Sequence, residues 1–141
     1  MERCEGANGI VNLPVPLEAT EQIAVVQWLE LQGLKFTSVP NSTFTKSWKQ
    51  KSANTAQGLR AGFPDLIVLI PPARAKDGIS RLLAPEMKRI KGGVVSPQQR
   101  EWIAALNALG SVNIDSVVAH GSEEAIEYIS SFLKDVSTSP F

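Results

Sequence analysis

Three side chains in the middle of the chain could do chemistry together. Asp65 stands at the mouth of the apolar run Leu66–Ile70, and Glu86 and Lys88 stand two apart in the run Arg81–Lys88. Residues two apart on a strand point to the same face. Neighbouring strands lie ~4.8 Å apart, so an Asp on one and a Glu on the next can share a single cation. A hard divalent ion such as magnesium takes one or two carboxylates, a carbonyl and water. The main-chain carbonyl of Met87 lies between Glu86 and Lys88 and could supply the oxygen. A lysine beside such an ion adds fixed positive charge where a phosphodiester gains negative charge in its transition state. It could also hold or deprotonate the attacking water if its pKa were lowered enough. Taken alone, the three also fit a strand-end aspartate and a solvated Glu/Lys pair.

The elements that must position these groups can be read from pattern. Residues 1–16 contain Gly6, Gly9, Pro14 and Pro16 and read as a loose arm. A helix should start near Leu17 and stop at Gly33, with Ala24, Val25, Trp28, Leu29 and Leu31 as its apolar stripe. Leu34–Val39 reads as a short strand, and a short helix is expected around 46–59. Asp65–Ile70 is a buried strand by its β-branched run. Pro71-Pro72 ends it, Lys76-Asp77-Gly78 makes the turn, and Arg81–Lys88 returns. Pro85 removes a ladder donor within that return strand, so the strand is either locally unpaired or bulged so as to aim Glu86. Ser96 as N-cap, Pro97 at the first helical position and Gln99 closing a capping box announce the next helix. Its stripe is Trp102, Ile103, Leu106 and Leu109, and Gly110 ends it. Val112–Ala119 is a strand, and Ser122 caps a last helix that buries Ala125, Ile126, Ile129 and Leu133. The order α-β-β-β-α-β-α implies an α/β domain, 17–135, around a mixed central sheet flanked by helices, with a tail at 136–141.

Composition narrows the function classes. Among 141 residues there is one cysteine, Cys4, and one histidine, His120, which excludes a disulfide framework and a multi-thiolate zinc site. The longest aliphatic run, Leu66–Ile70, is far short of the ~20 residues a membrane helix needs. The start lacks the basic-then-apolar signal pattern, so a soluble cytoplasmic protein is expected. Net charge is zero but unevenly spread. Residues 1–34 carry one basic and five acidic groups, 35–100 twelve and three, and 101–141 one and six. Such asymmetry suits a face for a polyanion. Lys46, Lys49, Lys51 and Arg60 lie in an acid-free stretch, and Arg89 and Lys91 flank the Glu86 strand. All six are candidate contacts to the phosphates of such a polyanion, with a solvated cationic face as the rival reading. Trp48, among the lysines, could stack on a base or pack under a loop. His120 reads as a turn residue before Gly121.

Gly62-Phe63-Pro64-Asp65 followed by Glu86-Met87-Lys88 resembles the PD-(D/E)XK nuclease signature. The continuation Gly92-Gly93, Ser96-Pro97-Gln98-Gln99, Trp102 and Val117-Val118-Ala119-His120-Gly121 is similar to the VRR-NUC (virus-type replication-repair nuclease) branch. The resemblance implies a restriction-endonuclease-like core, magnesium or manganese dependence and hydrolysis of DNA phosphodiesters. It further implies a homodimer acting on branched DNA such as four-way (Holliday) junctions. Asp65, Glu86 and the Met87 carbonyl would then hold the metal, and Lys88 would be catalytic. The family also places an acid on its first helix and a glutamine after the lysine strand. Gln99 matches the second, although it could serve the capping box alone. Glu18 is preferred to Glu21 for the first because Gln22 at i+4 fits the family spacing; a first-turn acid favoured by the helix dipole is the other reading. The rivals are a flap, nick or general duplex nuclease, and a DNA-binding module without turnover. A purely structural α/β protein would leave the basic middle segment unexplained.

Overall fold

In the computed structural model, which describes residues 14–40 and 47–135, four strands form one mixed sheet. They are β1 (Lys35–Ser38), β2 (Leu66–Ile70), β3 (Arg81–Lys88) and β4 (Ile114–His120), side by side in that order. β1–β2 and β2–β3 run antiparallel, and β3–β4 run parallel. The helices are α1 (Glu18–Gln32), α2 (Trp48–Ala56), α3 (Pro97–Asn107) and α4 (Ser122–Ser130). The architecture is the expected α/β one, with α2 inside the acid-free stretch between β1 and β2. A 3-10 turn, Pro72–Arg74, and an antiparallel bridge from Ala75 to Leu133 precede the turn at Asp77 and Gly78. Most of the expected arm, all of the expected tail, Cys4 and Lys46 lie outside the described residues. Among the described residues no helix is long and apolar enough to cross a membrane.

One side of the core joins Val25 and Leu29 of α1 and Ala125 and Ile129 of α4 to Val68, Leu83, Met87 and Ala119 of the sheet. The face α1 buries is Glu21, Val25 and Leu29, spaced four apart. Leu31, expected in the stripe, lies well round the cylinder from that row and is 85% exposed. The last helix also departs from expectation. Ser122 is not its N-cap but its first residue, because Gly121 (φ 92°) turns the chain directly out of β4. The free Ser122 N–H donates instead to Glu21 Oε1 of α1, at 2.9 Å. A buried carboxylate at a helix N-terminus is electrostatically well placed.

Pro85 decides the shape of the middle of the sheet. β2 and β3 pair only at Ile70↔Arg81, Leu69↔Leu82 and Val68↔Leu83. Continued, that register would set Leu66 opposite Pro85 and Pro64 opposite Met87. Leu82 N–H donates to Asn113 of the β4 side. Even-numbered β3 residues therefore turn their backbone toward β4 and odd-numbered ones toward β2. The donor that Pro85 lacks falls on the β2 side, where the strands part. Of the two expectations at this residue, local unpairing is what occurs. The β3–β4 ladder is undisturbed from Leu82↔Ile114 to Lys88↔His120.

The other side of the sheet carries α3, capped as expected by the Ser96/Gln99 box. Asn107 closes the outer edge of β4, its amide bonding both Ser116 N–H and Ser116 C=O at 2.9 Å. The helix stops at Asn107, so Leu109, expected in its stripe, is 63% exposed. Trp102, expected in the core, is half-buried and clamps the loop before β2. Its Nε1–H donates to Ala61 O at 3.1 Å, and its ring meets Phe63 edge-on, centroids 5.1 Å apart. Between them Gly62 (φ 101°) lies so close to α3 that a Cβ would sit 2.7 Å from the Gln98 carbonyl carbon.

Gly62→Ala should therefore lower stability by about 1–3 kcal/mol. Gly58→Ala, with a similar φ of 105° but nothing within 4 Å, should cost less. Urea or thermal unfolding of the two variants measures the difference; equal losses would remove the steric argument.

Candidate active site

Where β2 and β3 part, the side chain of Asp65 takes the place of a ladder partner. Its Oδ2 accepts the Met87 N–H at 2.8 Å. A residue's carbonyl points along the same strand edge as its N–H, so the Met87 oxygen also faces this gap. Glu86 and Lys88 project from β3 beside it. Glu86 is only 1% exposed, and its Oε2 accepts from Gln99 Nε2 at 2.9 Å and lies 3.4 Å from Lys88 Nζ. Lys88 Nζ also lies 3.8 Å from Glu18 Oε2. Gly93 approaches the Lys88 stem so closely that a Cβ there would stand 3.2 Å from Lys88 Cβ. No signal in the sequence assigned Gly93 that contact.

Burial pushes the Glu86 carboxyl up to about 8, the negative charge of Asp65 adds to the rise, and the Lys88 ammonium opposes it. The group therefore gains from a proton or a cation. Among the described residues its second oxygen, Oε1, is buried without a hydrogen-bond partner. A divalent ion would satisfy that oxygen. Two carboxylates, a main-chain carbonyl and waters are the donor set magnesium accepts. Among the described residues no three His, Cys, Asp or Glu side chains make a metal cage by themselves, so solvent or substrate oxygens would complete the shell.

The two acids of α1 have different surroundings. Glu21 is buried and committed to the N-terminus of α4, whereas Glu18 is half-exposed and faces Lys88. The role of Glu21 was missed; its place four residues before Val25 and eight before Leu29 was the available signal. Gln99 uses both ends of its amide. Oε1 accepts the Ser96 N–H at 2.8 Å, closing the capping box, while Nε2 holds Glu86.

The basic candidates are less gathered. Lys49 and Lys51 are exposed on α2, which buries no residue, and Lys51 Nζ stands 5.9 Å from the ring centre of Trp48, itself 83% exposed. Arg60 bends its Nη1 back to the Thr55 and Leu59 carbonyls, both at 3.0 Å. Arg89 donates from Nη2 to Val15 O at 3.0 Å, and among the described residues its Nε is buried without a partner. It sits at the point where the chain approaches α1, and bracing that segment draws it away from solvent. Lys91 is exposed. His120, expected in a turn, is instead the last residue of β4, paired with Lys88, and its Nδ1 lies 3.1 Å from Arg89 O.

The fold and the family it falls in are those of a nuclease domain of the PD-(D/E)XK type. The chain belongs to the VRR-NUC domain family, whose model matches residues 15–123. A solved structure, a VRR_NUC domain protein, shares the fold with a TM-score of 0.65 at 24% identity, over 87% of this chain and 94% of that one. No curated protein matches it. Nucleases of this family generally use divalent metal ions, and their substrate is DNA.

The raised Glu86 carboxyl has a consequence for stability. Its folded value, about 8, lies above its ordinary value of 4.5. The folded state thus binds the proton more tightly, and without metal it loses stability as pH rises from near 5 through 8. Glu86→Gln should remove that dependence. In EDTA at pH 8 the variant should melt several degrees higher than the wild type, at roughly 4 °C per kcal/mol. Parallel pH–melting curves for the two proteins would overturn this account.

Proposed function

We propose that this protein is a magnesium- or manganese-dependent DNA endonuclease that cuts branched DNA such as four-way junctions and works as a homodimer. The observation that carries the reading is the meeting of Asp65, the Met87 backbone and the buried Glu86–Lys88 pair where β2 and β3 part.

Each residue then has a task that follows from its contacts. Asp65, Glu86 and the Met87 carbonyl hold the cation, which when bound would polarise the phosphate and a water molecule. Gln99 fixes Glu86 Oε2 and leaves Oε1 for the ion. Lys88, set between Glu86 and Glu18, holds the attacking water and places its charge near the phosphate as negative charge builds there. Glu18 holds Lys88 in turn and takes part in the site from α1. Lys49, Lys51, Arg60 and Lys91, together with Lys46 outside the described residues, supply positive charge for the DNA backbone. A branched substrate with two strands to cut favours two copies of the chain.

The decisive experiment offers the protein a synthetic four-way junction, a flap, a nicked duplex, linear duplex and supercoiled plasmid, with magnesium, manganese or EDTA. Junction cutting should exceed duplex cutting and should need metal. Asp65→Asn and Lys88→Ala should each lower the rate roughly a hundredfold or more while junction binding persists. Binding should weaken steeply with salt as counterions are released. Cutting that survives EDTA would overturn the metal role. Equal cutting of junction and duplex would overturn the substrate, and a monomer by sedimentation while bound to the junction would overturn the dimer.

A further inference from the structure

The outer face of α3 holds a groove of about 430 Å³ lined by Arg60, Ala61, Gln98, Glu101, Trp102 and Ala105. We infer that this groove is a nucleobase pocket, taking one unstacked base of the substrate beside the bond to be cut; the inference rests on the nuclease reading.

The aromatic wall is prepared for stacking. The one polar atom of Trp102 is already satisfied by the Ala61 carbonyl, and Phe63 braces the ring edge-on. The indole is thereby held still beside the groove, with no donor left to satisfy. Stacking on a fixed aromatic surface accepts any base, because every base has a π-face. The rim carries both senses of hydrogen bonding: a guanidinium at Arg60, an amide at Gln98 and a carboxylate at Glu101. A base edge presents donors and acceptors together and suits such a rim. A phosphate would meet the like charge of Glu101, so the groove's chemistry favours the base over the backbone.

Its position ties it to the carboxylates. Gln98 adjoins Gln99, whose amide holds Glu86, and Gln98 is the residue against which Gly62 packs. Three residues of chain, at most about 10 Å, separate Gly62 from Asp65. That is a few nucleotides of strand at a rise of ~3.4 Å each. A strand whose phosphate sits at Asp65 and Glu86 therefore has the groove within reach of its neighbouring nucleotides. Bases inside a continuous duplex are stacked, and drawing one out costs unstacking and unpairing energy. At a branch point pairing is already weakened and extrusion costs least. The groove thus supplies a physical ground for choosing branched over linear DNA.

The test is an abasic scan. Four-way junctions lacking a single base, at each position around the cut in turn, are offered to the wild-type protein. Cutting is followed in magnesium, and binding by fluorescence anisotropy in EDTA. One position should lose about tenfold (~1.4 kcal/mol) in affinity or rate. Ala105→Phe, which fills the groove from an exposed position, should lose a similar factor on the intact junction. On the junction abasic at that one position it should match the wild type, with an unchanged melting point. A flat scan in both cutting and binding would overturn the pocket, whether or not Ala105→Phe folds. So would an Ala105→Phe protein that handles the intact junction like the wild type. A wild-type protein that binds junctions with one sensitive position yet cuts no DNA would keep the pocket and overturn the nuclease reading instead.

Discussion

An amide hydrogen that is not there shapes this domain. Proline at position 85 leaves β3 without a donor on the side facing β2, so the two strands cannot stay paired past Leu83. The cost of parting a central pair of strands is the exposure of polar backbone. Here one of the freed groups, Met87 N–H, is satisfied by the carboxylate of Asp65. An acid is thus drawn into the sheet at the position where another acid, Glu86, is already buried. Burial first, and then the nearby charge of Asp65, raises Glu86, and the Lys88 ammonium beside it works against that rise.

Everything else near the site restrains these groups. Gln99 binds Glu86 with one end of its amide and the start of α3 with the other, so the helix and the carboxylate are fixed in one step. The Trp102–Phe63–Ala61 clamp and the close approach of Gly62 to Gln98 set the loop that delivers Asp65. On the opposite side, Gly121 N–H donates to the Lys88 carbonyl at 2.9 Å, and Glu21 ties α1 to the next residue. Glu18 leaves the same helix one turn earlier and reaches Lys88. The site is held by short contacts from four different segments, each anchored in secondary structure.

What could be read in advance followed from local rules. The Ser96-Pro97-Gln99 start of α3 is chemistry within four residues, and the strand Arg81–Lys88 and the stop at Gly33 are equally local. The two-residue spacing of Glu86 and Lys88 placed them together without any tertiary knowledge. Features set by distant partners were not legible. The contact of Glu21 spans 101 residues, and that of Trp102 with Ala61 spans 41. Leu31 and Leu109 look like core residues by hydropathy alone. The row along α1 and the early end of α3 leave both in solvent. Pro85 was visible as an anomaly, yet only the register of β2 shows which side of the strand it opens.

The helix α2 stands apart from this tightly braced arrangement. Among the described residues it buries no side chain, and its bonds include its own Ser47 cap, the Gln50–Asn54 pair and the return of Arg60 to its last turn. A nine-residue helix is marginal by itself in water. The consequence is a separation of duties under mutation. Residues on α2 can be exchanged, and the local charge raised or lowered, at almost no expense to the hydrophobic interior, whereas the same freedom is denied to every residue around Pro85.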